Sequence, residues 1–152
     1  MEHATTTHTA ARVLSTQSAN AAAASAYVDN ADRAFADSRQ RLIAYLVKLN
    51  QALDQDLTDL SQAILHRFCE SLVDYLSAGH FSVFQRVALA ADEYAAIEST
   101  TRLSMAFNDA FADQSNIDIA EVKTALENLA QILGTRFELE DDIILADRAR
   151  RH

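Results

Sequence analysis

The stretch LTDLSQAILHRFCESLVDYLSAG, residues 57–79, decides the fold. Within it Leu57, Leu60, Ile64, Phe68, Leu72 and Tyr75 recur at spacings of three or four. That period lines one face of an α-helix. Gly79 closes the run and suits the left-handed conformation of a helix C-cap. The period also holds upstream, where Phe35, Leu42, Leu46, Leu49 and Leu53 follow at seven, four, three and four. No proline or glycine separates the two stretches. A bundle nevertheless needs a reversal, and residues 54–59 are the place for it, because Asp and Thr favour caps and turns.

Downstream, Ser82 is placed to cap a third helix through Val83, Phe84, Val87 and Ala91. Tyr94, Ile97, Thr101, Met105 and Phe111 carry that helix onward after a kink near Asp92. Residues 112–116 read as a loop, and Asp118 with Glu121 has the spacing of a capping box. Behind it Ile119, Val122, Leu126, Leu129, Leu133, Phe137 and Ile144 mark a long amphipathic helix. Gly134 inside that helix costs up to about 1 kcal/mol relative to alanine, so close helix packing is expected there. The first helix should begin near Asp29, because residues 1–28 are rich in Thr, Ser and Ala and nearly free of large apolar side chains. Such a segment cannot offset its ordering entropy and reads as a disordered or weakly ordered arm. Its alanine run, 21–26, has good helix propensity but no apolar stripe to hold it down. The expected fold is all-α: an antiparallel bundle of four to five helices over residues 29–152.

Composition agrees. The chain of 152 residues has two glycines and no proline, too few turn formers for a sandwich or barrel. Its length allows one domain that buries roughly 70% of its unfolded surface. Lys and Arg total 13 against 22 Asp and Glu, a formal charge of −9. Such a surface repels phosphates and anionic lipid and attracts basic protein surfaces, so direct nucleic-acid or membrane partners are not expected. The one cysteine, Cys69, reads as a small helix residue and cannot form an internal disulfide. No apolar run approaches the roughly 18 residues of a membrane span. Ala24-Ser25-Ala26 has the residue types of a signal-peptidase site, but no Lys or Arg precedes Arg12 and the upstream stretch is not apolar. A cytoplasmic location is expected.

Several constellations carry candidate chemistry. A di-iron bundle needs Glu-x-x-His pairs, and no Glu here has a His three residues later. His66 and Glu70 share a helix face at i, i+4, the spacing of an intrahelical polar contact, and two ligands on one turn do not make a metal site. His3, His8 and His152 lie at the ends. Neither a metal nor a cofactor is expected. Asp74, Ser77 and His80 are the residue types of a hydrolase triad but sit on one helix turn and its cap, without a glycine-rich elbow. Arg67, Glu70, Asp74 and Ser77 form a polar stripe, with Glu70 and Asp74 at i, i+4, where like charges cost a few tenths of a kcal/mol. The stripe fits an ordinary solvated face or a docking face for a cationic partner. A second acidic cluster, residues 138–142, falls late in the last helix and opposes its macrodipole, which Arg148, Arg150 and Arg151 offset in part. It too reads as surface kept for a basic partner.

Three segments carry a resemblance. FCESLVDYLSAGHF (68–81), AFND (106–109) and RFELED (136–141) resemble the Rsd/AlgQ family of bacterial regulators, in family order and spacing, from about Phe35 onward. The resemblance implies an anti-sigma protein that grips the C-terminal, −35-reading domain of the primary sigma factor and keeps it from core RNA polymerase and promoter DNA. Such a protein is no enzyme. Its partner contains a helix-turn-helix with a basic phosphate-contacting face, which an acidic bundle complements. Carried over residue by residue, the candidate binding face is Asp74, Ser77, His80 and Phe81; Glu70, Glu140 and Asp141 join it from the acidic clusters. The chain departs from the family in lacking tryptophan in the first helix, where Phe35 and Arg39 are the nearest counterparts. A second function, of a different class, is a helical-bundle enzyme or metal protein using the polar groups near Asp74 and His80.

Overall fold

The computed structural model describes residues 2–151, with side-chain environments from residue 19 onward; Met1 and His152 lie outside the described residues. Four α-helices follow one another: α1 (Glu2–Asp54), α2 (Thr58–Gly79), α3 (Ala91–Phe111) and α4 (Ile119–Arg151). A π-helical turn, His80–Phe84, prolongs α2. The fold is all-α, as the periodicity implied. Short connections make α1–α2 one antiparallel hairpin and α3–α4 another, and the hairpins meet along α2–α3 and α1–α4. The first reversal falls inside the expected segment. There Asp56 takes φ +54°, a left-handed conformation that Asp tolerates because its short polar side chain bonds locally. Asp118 caps α4, its Oδ1 accepting from the Ala120 and Glu121 amides at 3.0 and 3.3 Å.

The core is built from the stripes. Phe35, Leu42, Leu49 and Leu53 of α1 meet Leu65, Phe68, Leu72 and Tyr75 of α2, all essentially inaccessible to water. Phe35 stacks on Tyr75 with centroids 5.7 Å apart, and Phe68 meets the Phe107 ring edge-on at the same distance. Each such side chain contributes about 1.5–3 kcal/mol of burial.

Five local expectations are corrected. α1 starts at Glu2 instead of near Asp29. Among residues 19–31 none is buried, and the first buried side chain is Asp32. Alanine-rich propensity carries the helix back beyond its packed region. Gly79 is right-handed, at φ −59° and ψ −49°, and caps nothing. Its role is space: a Cβ there would stand 3.1 Å from Phe35 Cε2 and from Phe84 Cε2. Ser82 caps no helix, because the chain runs through the π-helical turn and a connection before α3 opens at Ala91; Glu93 accepts from the Ala90 amide at 3.0 Å. Gly134 packs against nothing within 4 Å and is exposed. Finally, the buried face of α4 is Val122, Leu126, Leu129, Leu133, Arg136, Glu140 and Ile143. It keeps a strict four-three alternation, so Phe137 and Ile144, read as stripe residues, pack only at the core's margin.

The two glycines should therefore respond oppositely to alanine. Gly79→Ala must push two aromatic rings aside and should lose about 1–3 kcal/mol to overpacking. Gly134→Ala should gain about 0.5–1 kcal/mol of helix propensity. Urea denaturation of both variants checks this; equal responses would contradict the packing described.

Candidate functional site

α2 has two faces with different duties. Phe68, Leu72 and Tyr75 point inward, and Glu70, Asp74 and Ser77 are exposed on the outside. Glu70 and Asp74 line a shallow concavity of about 350 Å³ between α2 and the end of α3, together with Asn108 and Asp113. Three carboxylates thus ring one depression. Among the described residues no group of three or more His, Cys, Asp and Glu could hold a metal ion. His66 pairs with Glu70 at 3.2 Å across one helix turn, as its spacing implied. Cys69, beside the depression, is buried; burial, and then Asp113, push its thiol up to about 12, which leaves it protonated and inert as a nucleophile.

The π-helical turn presents the remaining candidates. His80 is exposed and meets the Phe81 ring at 4.8 Å, while Phe81 itself is 66% exposed. π-turns insert an extra residue into a helix, and here that turn displays an aromatic side chain to solvent. His80 contacts Gln85, its Nε2 lying 3.5 Å from the amide nitrogen. Among the described residues no hydrogen bond joins Asp74, Ser77 and His80; Asp74 and His80 line different concavities. Asp141 is exposed on α4, 2.8 Å from Arg39, and lines neither concavity.

Glu140 is the correction. It is fully buried and cannot touch a partner. Its Oε2 accepts from Tyr75 Oη at 2.5 Å and from Arg136 Nε at 3.1 Å, while Arg39 stands 3.6 Å from Oε1. Arg136, 1% exposed, also donates through Nη1 to the Ile97 carbonyl and to the hydroxyls of Thr100 and Thr101, at 3.3, 3.1 and 2.6 Å. Arg39 lies over the Phe137 ring at 5.3 Å. Burial pushes the Glu140 carboxyl above the ordinary carboxylate range, and Tyr75, Arg136 and Arg39 pull it partly back. Burial, then Glu140, hold the Tyr75 hydroxyl far above its usual range, so it remains a donor. A buried charge persists only when paired and hydrogen-bonded, and this one is. A second buried carboxylate, Asp32 of α1, pairs with Arg86 at 2.7 Å and with Arg148 and Arg151 at 3.5 and 3.4 Å.

Sequence reasoning missed Arg136, Asp32 and Asp113. The signal for Arg136 and Glu140 was present. Continuing Leu126, Leu129, Leu133 by three and then four lands on 136 and 140, and their i, i+4 separation is that of an ion pair. Phe35 lies in the core, 1% exposed.

The arrangement defines a class: an acidic all-α bundle with an exposed acidic face on α2 and no assembled catalytic constellation among its described residues. A family model described as "Regulator of RNA polymerase sigma(70) subunit, Rsd/AlgQ" matches residues 14–146. The chain belongs to this family. The match begins earlier than Phe35, inside the segment read as an arm. Similar relatives include the "Regulator of sigma D" of Yersinia enterocolitica, 36% identical over 104 residues (57% of this chain, 60% of the relative). Another is the "Regulator of sigma D" of Escherichia coli O139:H28, 35% identical over 98 residues (57% of this chain, 62% of the relative). The chain thus spans about three-fifths of the length of the curated relatives it matches. No solved structure matches. No helix among the described residues is long and apolar enough to cross a membrane.

Removing Glu140 strands a buried guanidinium, so Glu140→Ala should cost about 3–5 kcal/mol. Replacing the set together, as Arg136→Met, Glu140→Leu and Tyr75→Phe, should recover most of that loss because no polar group is left unpaired. Denaturant melts of the single and triple variants decide it. A triple variant no more stable than Glu140→Ala would show that the ionic node has no apolar substitute.

Proposed function

We propose that this chain is an anti-sigma regulator of the bacterial cytoplasm that acts by binding and not by catalysis. It holds the C-terminal, −35-reading domain of the primary sigma factor and withholds it from core RNA polymerase and promoter DNA. The observation that carries this reading is the exposed α2 face, where Glu70 and Asp74 share one depression with Asp113. Ser77 in the last turn of α2, and His80 and Phe81 just beyond it, are exposed as well. A sigma domain that contacts DNA phosphates must present basic groups, and this face, in a chain of formal charge −9, offers their complement. The family description and the relatives' printed names support the same partner. The separation of Asp74 from His80 into different concavities favours binding over the enzyme reading.

In this reading charge steers and a few contacts hold. Acidic groups accelerate encounter with a basic domain, an effect that weakens as salt shortens the Debye length to about 8 Å at 0.15 M. Phe81 supplies exposed aromatic area of the kind that anchors interfaces. Residues 1–28 play no part in binding, and the domain is residues 29–152; none of residues 19–31 is buried against the bundle.

Asp74 gives the fold nothing: it is exposed, repelled by Glu70 one turn away, and near the negative end of α2. Asp74→Ala should therefore weaken binding of the sigma C-terminal domain by at least about tenfold, or about 1.4 kcal/mol, with an unchanged melting temperature. Asp74→Asn should lose nearly as much. Titration calorimetry beside circular-dichroism melts checks both; unchanged affinity removes Asp74 from the interface.

A further inference from the structure

At the end of the α2–α3 groove nearest the π-helical turn lies a cavity of about 480 Å³ that shares only His80 with the proposed docking face. Leu76, Phe84, Leu89, Tyr94 and Ile97 form apolar walls, and Arg136 reaches it from the core. The guanidinium is 1% exposed, yet its donors are not all engaged. Nε serves Tyr75 and Glu140; Nη1 serves Ile97, Thr100 and Thr101; Nη2 makes no hydrogen bond to any described residue. Arg136 lines the cavity, and its guanidinium lies 5.6 Å from the centroid of the Phe84 ring in the cavity wall, which leaves Nη2 as the donor open to a ligand there.

We propose that this cavity binds a small apolar monocarboxylate, aromatic or short-chain aliphatic, with one carboxylate oxygen accepting from Arg136 Nη2. An unengaged charged donor in an apolar wall is costly, and an anionic acceptor is its strongest complement. Because Nε and Nη1 are already occupied, Arg136 offers one nitrogen and not a bidentate fork, which suits a single carboxylate better than a phosphate; His80, Gln85, Thr101 and Arg102 also line the cavity. The volume lies in the range of small-ligand pockets, about 300–1,000 Å³, and apolar walls with one placed polar group are their usual lining. At the rim Glu98 and Arg102 offset each other's formal charge, so Arg136 sets the preference. This site does not depend on the anti-sigma reading and stands or falls separately.

The test uses the full chain, titrated calorimetrically with phenylacetate and hexanoate, beside phenylacetamide and hexanol as neutral counterparts. Both carboxylates should bind saturably at millimolar concentration, at least about tenfold tighter than their neutral counterparts, or about 1.4 kcal/mol. Arg136 also holds the core together, so the cavity is tested from its rim: Leu89→Trp should fill it and abolish binding with helicity unchanged. No saturable binding, equal binding of charged and neutral ligands, or undiminished binding by a folded Leu89→Trp variant would each overturn the proposal.

Discussion

The buried pair of Arg136 and Glu140 is the constraint on which the bundle depends. From α4 it reaches Tyr75 of α2, the Ile97 carbonyl and two threonines of α3, and Arg39 of α1. All four helices are thereby indexed to one guanidinium and one carboxylate. Apolar stripes alone allow helices to slide by a turn at modest cost, whereas a buried charge tolerates only the register that pairs it. The Asp32 cluster does the same two turns from Arg39 along α1, tying α1 to Arg86 beyond the π-helical turn and to the end of α4.

This register determines what α2 can show to a partner. Tyr75 is held inward by its hydrogen bonds, so its neighbour Asp74 must face out. Glu70 and Ser77 follow by helical phase, and α3 brings Asp113 to the same depression. Past Gly79 the chain tightens against Phe35 and Phe84, and the π-helical turn leaves Phe81 in solvent. The interior polar network and the exterior acidic face are thus two sides of one helix.

Much of this was legible in the sequence. The stripe of α1, that of α2 from Ile64 onward, the reversal within residues 54–59, the Asp118 cap and the outward phase of Asp74 follow from spacing and local chemistry, whereas Leu57 and Leu60, read as the start of the α2 stripe, are exposed. The misreadings on α4 share one cause: apolar residues were assumed to mark the core. That assumption rotated the C-terminal half of α4 onto Phe137 and Ile144, and it left Glu140 on the surface with Asp141. Opposite charges can occupy core positions when they pair with each other, and which further partners they find depends on three other helices that no local pattern specifies. Gly79 misled for a related reason. Its glycine is required by two rings, from residues 35 and 84, and not by the left-handed geometry that a helix end usually demands. Asp113 carried no local signal at all, since only tertiary packing brings it beside Asp74.

The central claim is that α2's outward face, held in place by the buried node, is where a sigma domain docks. The most direct measurement is amide chemical-shift mapping of the labelled chain on addition of the unlabelled C-terminal domain of the primary sigma factor. The account predicts the largest shifts at Glu70, Asp74, Ser77, Phe81 and Asp113, with the amides around Glu140 little changed. Shifts concentrated instead on the outer surface of α4, or none at saturating partner, would contradict it.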